Sequence, residues 1–501
     1  MAISFENIPA DVRVPLFYAE MDNSQAGFFT QNQKVLLIAQ KLAAAPAASN
    51  QALLISRTDD AKEQFGLGSM MARMHETVRL NDAVGEVWCI ALDDDGGAVA
   101  ATGKVSIAGP ASASGTINLY IAGQIVRVGV AVSDAASAIA TATAAAINAI
   151  DDLPVTAAVN GSNDYEVDLT AKWSGETTND ITLIENYRGN VSNERTPSGV
   201  VLTITAMTGG ATDPDIADAI TAMGDEEFDF IIHPYTGGAN LDALATELDD
   251  NAGRWSYSRQ IYGHVYSAKR GEFSALQIFG VTRNDQHATI AGFEASVPTP
   301  VWEYAAAYGA RNAVFIKADP ARPTQTGQAV GVLPPQVGDR FILTERETLL
   351  NSGIATSYVG GGTVRVERAI TTYQKNSFNQ ADTSYLDSET LHTSTYVLRK
   401  LKYAVTQKYP RHKLADDGTK FGAGQKIVTP SIIRGAMLDV YSQMEYLGIV
   451  ENAELFNKYL VVERDANDSG RINVLFPADY VNQLRVFALL NQFRLQYPAT
   501  A

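Results

Sequence analysis

From about Gln33 onward, continuous apolar runs of strand length alternate with stretches of helical periodicity, and that alternation leaves the chain few possible folds. The runs "VLLIAQ", "ALLIS" and "EVWCIAL" surround a helix pattern at Ser69 to Arg79. Later come "FDFIIHP", "QIYGHVYSA", "HATIAGF", "AVFIKA" and "TVRVERAI", read as strands. Helix patterns lie between them near Asp215 to Met223, Leu241 to Asn251, Pro300 to Ala307 and Thr344 to Asn351. Uninterrupted apolar strands separated by helices predict a mostly parallel sheet covered on both faces.

One region breaks the alternation. Between Asp94 and Gly210, Ala, Thr, Gly, Ser and Val dominate and only five residues are Lys or Arg. Strands are expected at "GKVSIAG", "GTINLYIAG", "QIVRVGVAV", "VTAAV", "YEVDLTA", "ITLIEN" and "VVLTITA", with a helix from Ser133 to Ile150. This composition predicts an inserted, mainly β, α+β module on the outer surface.

After Thr372 the pattern turns helical. Leu391, Leu398, Leu401 and Val405 form one apolar stripe, and a second helix starts with Thr429 as N-cap and Pro430 in its first turn. Ile433, Met437, Val440, Met444 and Leu447 should face its core, and Gly448 should stop it. "KYLVVER" and "RINVLFP" flank the turn "DANDSG" as a hairpin. Both chain ends read as strands: Ile3, Phe5, Val12 and Val14 alternate near the start, and Phe493, Leu495 and Tyr497 make the half-buried "NQFRLQY" near the end. Pro9 and Pro15 would each remove a ladder donor from a central strand, so the first segment is expected on an edge. About 25 extended residues reach roughly 80 Å, enough to cross onto another subunit. The expected divisions are an N-terminal arm (1–26), a core α/β domain in two parts (27–93 and 211–375), the insertion (94–210), a C-terminal α+β domain (376–490) and a terminal strand (491–501).

Composition narrows the function. With 39 basic and 56 acidic residues the net charge is −17, which disfavours nucleic acid and anionic membranes as partners. No stretch is apolar for long enough to span a bilayer, and Met1 to Glu20 lacks a signal-peptide layout, so assembly in a cytoplasm is expected. Between Thr390 and Ala415 there are six Lys or Arg and no acid. That run, with Arg399, Lys400, Lys402, Lys408 and Arg411, suits either a solvated helix face or contact with an acidic protein surface, and nucleic acid less well.

Catalytic signatures are missing: there is no G-x-S-x-G elbow, no H-E-x-x-H, no P-loop and no complete G-x-G-x-x-G. His233, Asp229 and an unspecified serine could form a triad on an α/β sheet, which keeps a soluble hydrolase as the alternative from another class. Asp465, Asn467, Ser469 and Gly470 begin like an EF-hand loop, but Phe476 stands where the bidentate Glu belongs. Asp93, Asp94 and Asp95 read as a solvated junction. Cys89, the single cysteine, is expected to be a buried structural thiol. No metal or cofactor is expected.

The segment "TERETLLNSGIATSYVGGGTVRVERAITTYQKN", ending in R-x-I-T-T-Y at Arg368 to Tyr373, resembles the tail sheath proteins of Mu-type contractile phages. So do "ISFENIPADVRVPLFYAEMDNS", "DTSYLDSETLHTSTYVLRKLK", "KLADDG", "IVTPSIIRGAMLDVYSQMEYLGIVEN" and "VNQLRVFALLNQF". The resemblance implies a subtilisin-like core without proteolysis. It also implies a non-enzymatic subunit that stacks in six-fold rings around a tail tube and contracts to drive it through a host envelope. Partners would be other copies, the tail tube protein, and baseplate and terminator proteins, in a virion or in a headless, phage-tail-like bacteriocin. Ile3, Phe5, Val12, Val14, Phe493, Leu495 and Tyr497 would then pair outside their own subunit, and the basic helix would face the tube.

Overall fold

The structure is a computed structural model that describes residues 14–15, 33–422 and 424–496. The expected N-terminal strand, with Ile3, Phe5 and Val12, lies outside the described residues, as does Tyr497. The chain forms two compact units. The larger comprises Gln31–Ala318 and Thr324–His392, and the smaller includes Asp319–Pro323 and the chain from Thr393 onward.

At the centre of the larger unit is a six-stranded sheet in the order Ala288–Glu294, His264–Gly271, Phe230–Ile232, Val35–Gln40, Val87–Leu92, Ala52–Leu54. Neighbours pair parallel except at Ala52–Leu54, which runs antiparallel along one edge. Val35 to Ala39 are all fully buried, which explains why this strand reads as continuous rather than alternating. Helix Met70–Asn81 starts where the Ser69 side chain accepts the Ala72 amide at 3.1 Å. It packs on Val35–Gln40 and against helix Val301–Ala318, which crosses the next two strands. Close approach there needs a glycine: a Cβ on Gly309 would stand 2.7 Å from Ile232.

Two strand expectations in this unit are corrected. "AVFIKA" is the end of the helix Val301–Ala318, buried along most of its length. A helix enclosed on nearly every side loses its polar stripe, so a short window of it cannot be told from a buried strand. "QIYGHVYSA" becomes a strand only at His264, because Gln260, Tyr262 and Gly263 have φ of 53°, 44° and 128°. The helix expected at Leu241 to Asn251 runs from Gly238 to Leu248. "TVRVERAI" is a strand, but it forms an antiparallel hairpin with Thr356–Gly360 that joins the main sheet through one parallel bridge, Ala291 to Ala355.

The expected insertion strands are all present. They form one four-stranded antiparallel sheet (Val201–Thr208, Thr102–Ala108, Glu166–Ala171, Val155–Val159) and one of three strands (Gln124–Val130, Gly115–Ile121, Leu183–Glu185). Helix Ala136–Asn148 packs on both. The buried side chains of this region, among them Ile117, Leu119, Val167 and Trp173, belong to the same apolar cluster as those of the parallel sheet.

The smaller unit is built on helix Pro430–Tyr446, helix Ala453–Tyr459, the hairpin Val461–Arg464/Ile472–Leu475 and the later turns of helix Ser388–Lys408. Ile433, Met437, Val440 and Met444 are buried as expected, and Tyr441 stacks on Phe456 at 3.7 Å. Leu447 is 52% exposed. Gly448, at φ 72°, reverses the chain so that its amide bonds to Glu445 and that of Ile449 to Met444, and Ile449 takes the buried place. The predicted stripe on the long helix is also displaced. Val397 is buried, with Leu401 and Ala404 packed beside it, whereas Leu398 and Val405 are exposed. Among the described residues 491–496 no strand forms, and Phe493 and Leu495 are exposed rather than half-buried.

Candidate functional site

The catalytic candidates do not come together. His233, at the end of Phe230–Ile232, is fully buried, and neither ring nitrogen has a hydrogen-bond partner among the described residues. Its ring stacks on Tyr235, and burial lowers its pKa to about 4, too weak a base for neutral pH. Asp229 instead accepts the Lys34 amide at 3.1 Å. The Cys89 thiol is buried and pushed well above its ordinary pKa by desolvation, which suits a packing role. Asp465 closes its turn by accepting the amides of Asn467 and Asp468 and the Asn473 side chain, which hold its carboxyl down at about 2. No cluster suited to a metal ion occurs among the described residues.

The assembly candidates are placed differently. Val14 is 67% exposed. Beyond Tyr480, whose segment bridges Val450, the chain carries Leu484, Val486, Phe487, Leu489, Leu490, Phe493 and Leu495, each between 69% and 96% exposed. A folded chain keeps so dense a run of large apolar side chains in water only where something else covers it. Five of these residues precede the terminal strand expected from periodicity. "LRVFALL" has no period-two alternation, but its apolar density could have flagged it. The Val461–Arg464/Ile472–Leu475 hairpin has no third strand among the described residues, and its Val461, Val474 and Leu475 are exposed. Its Val462 and Ile472 pack on the apolar cluster of helix Pro430–Tyr446.

In the basic run, Lys402 and Arg411 are exposed. Lys408 stands 3.5 Å from Asp439, and Arg399 is partly buried. Lys400 points inward: it is 8% exposed, its ammonium lies 5.9 Å from the Tyr396 ring centre, and burial lowers its pKa against the pull of Asp439.

Comparison with known proteins gives the family of the chain. Residues 209–372 match the phage tail sheath protein central domain, and residues 380–494 match the phage tail sheath C-terminal domain. The Mu-like prophage FluMu tail sheath protein of Haemophilus influenzae is 41% identical over 498 residues, 99% of this chain and 100% of that one. A solved sheath tail protein from Desulfitobacterium hafniense shares the fold, with a TM-score of 0.50 at 10% identity over 94% of this chain and 97% of that one. A second, from Listeria innocua, gives 0.48 at 11% identity over 91% and 94%. The chain belongs to the phage tail sheath protein family.

Proposed function

We propose that this chain polymerises as stacked rings around a tail tube, and that contraction of the polymer drives the tube through a host envelope to deliver a genome. The observation that carries this reading is the exposed apolar segment from Leu484 to Leu495, together with a hairpin that has no third strand among the described residues. A strand added by another copy would supply backbone hydrogen bonds to the hairpin and cover the apolar side chains in one step. Val14 with Ile3, Phe5 and Val12 at one end, and Phe493, Leu495 and Tyr497 at the other, would be the exchanged strands. Such head-to-tail contacts propagate a helix rather than closing a dimer.

Within each subunit the division of labour would follow the domain divisions. The 27–93 and 211–375 core, of subtilisin-like topology, fixes shape, the 94–210 insertion faces outward and the 376–490 domain faces the tube. Lys402 and Arg411, with Lys408 and Arg399, would meet an acidic tube surface, while Lys400 contributes by packing. Assembly would take place in the host cytoplasm, with baseplate and terminator proteins at the polymer ends, and would need no cofactor or catalysis.

Replacing Phe493 and Leu495 together by Asp tests the reading. Electron microscopy of the purified native chain should show long hollow tubes, and the variant should stay monomeric with unchanged helix content. Tubes of normal length from the variant would refute it.

A further inference from the structure

The carboxyl ends of parallel strands are where open α/β sheets hold their ligands, because the loops diverge there and leave a crevice. In this chain the insertion fills that place. Its segment from Trp173 to Thr182 lies against residues at the ends of two core strands, and the end of the strand between them joins through Gln40. Past Val35–Gln40, the buried Gln40 amide donates to the Ser174 carbonyl at 2.6 Å and to Asp94 at 2.7 Å, and Asp94 in turn accepts the Ser174 amide. Tyr235, just past Phe230–Ile232, donates to the side-chain amide oxygen of Gln40 at 3.4 Å. Arg270, near the end of His264–Gly271, donates to the Asp180 carbonyl at 3.1 Å and stands 3.6 Å from its carboxylate. The same guanidinium donates to the Thr299 carbonyl at 2.6 Å and covers the Phe293 ring. Thr182 donates to the Pro298 carbonyl, and Trp173 meets Trp302 edge to face at 5.3 Å.

A second set of contacts joins the two regions elsewhere. Asp152 of the insertion accepts the Gly68 amide and pairs with Lys62. Lys62 and Arg73 both pair with Glu76, and Arg73 pairs with the buried Glu303. Burial raises the Glu303 pKa while Arg73 opposes it. Such partly buried charges tolerate little displacement, since separating them leaves each uncompensated.

We infer that residues 173–182 are a built-in plug of the crevice, clamped by Gln40 and Arg270, and that core and insertion therefore move as one rigid body. The insertion is held as a structural part of the core rather than hung from it by a linker. His233 and Tyr235 stay dry beneath it.

Hydrogen exchange of the full-length chain tests this, because local opening is read segment by segment. In the Gln40→Ala/Arg270→Gln variant, exchange should rise about tenfold at 173–182 and at 233–236, the loss expected from removing buried charged hydrogen bonds. Exchange at 433–449 should stay unchanged. Unchanged exchange at 173–182, or an equal rise at 433–449, overturns the inference. If the double variant aggregates, Asp180→Asn keeps the side-chain size and removes only the ion pair. It should raise exchange at 173–182 several-fold with no change at 433–449, and no rise there overturns the inference.

Discussion

The two units treat apolar surface in opposite ways. In the larger, side chains as big as Trp302, Tyr304 and Tyr308 are fully enclosed, and the open end of its sheet is sealed by its own insertion. In the smaller, a compact centre around Tyr441 and Met444 is followed, between Leu484 and Leu495, by seven large apolar side chains that face water. A body complete by itself can hold shape while neighbours are exchanged, whereas a body that lacks part of its cover needs a neighbour. On the proposed reading, connectivity and rigidity fall to different parts of one chain.

Ending the chain before Leu484 is the most severe way to break this contrast. Polymer formation should be lost entirely in sedimentation velocity, while the folded signal of both units persists. Polymers of full length would show that the exposed segment is dispensable.

Core truncations sharpen it. Trp302→Ala should cost the larger unit about 3–5 kcal/mol, and Met444→Ala should cost the smaller about 2–5 kcal/mol, read from urea midpoints. The readouts separate well, because all four tryptophans, Trp88, Trp173, Trp255 and Trp302, lie in the larger unit. Trp302→Ala should shift the fluorescence transition of the remaining tryptophans, and Met444→Ala should leave fluorescence in place and move only the circular dichroism.

Acid should also divide them. His75 and His233 are buried as neutral rings, with pKa values lowered to about 4 chiefly by desolvation, and His264 is lowered further. A lowered folded pKa means that the unfolded chain takes up protons the native state refuses. The stability is therefore fully present above about pH 6.5, falls with pH below that value, and levels off for His75 and His233 below about 4. At pH 5 each of these two should cost the larger unit about 2 kcal/mol relative to pH 7. The tryptophan transition should move accordingly, and a transition equal at both values would contradict the buried neutral rings.

The smallest effect on the fold is expected from Lys402→Glu with Arg411→Glu, both solvent-exposed. Stability should change by less than about 0.5 kcal/mol. Co-sedimentation with tail tubes should nevertheless be lost, and undiminished binding would remove these side chains from the tube contact.

Much of this architecture was legible in the residues. Runs such as "VLLIAQ" and "VWCIAL" identify strands buried on both faces, and Pro430 and Gly448 mark the two ends of one helix, although Thr429 makes no side-chain cap bond there. Errors arose where the tertiary setting overrides a local pattern. Enclosure made the end of Val301–Ala318 look like a strand, and a left-handed Tyr262 delayed the start of another. On the long helix two apolar faces were available, and the chain buried Val397 rather than Leu398 and Val405. The plug could not be read at all, since Gln40 and Ser174 are 134 positions apart and neither belongs to a recognisable motif. In the exposed segment, the alternation of Phe493 and Leu495 was visible, but the stretch from Leu484 to Leu490 lacks any period that signals a strand.

The place of that segment along the chain has a consequence for synthesis. Translation reveals Leu484 more than 100 residues after Arg368, the end of the last strand of the larger unit. At ribosomal speeds of about 5–20 residues per second, that is a delay on the order of 10 s. The most adhesive stretch among the described residues thus emerges only after the larger unit has had time to fold.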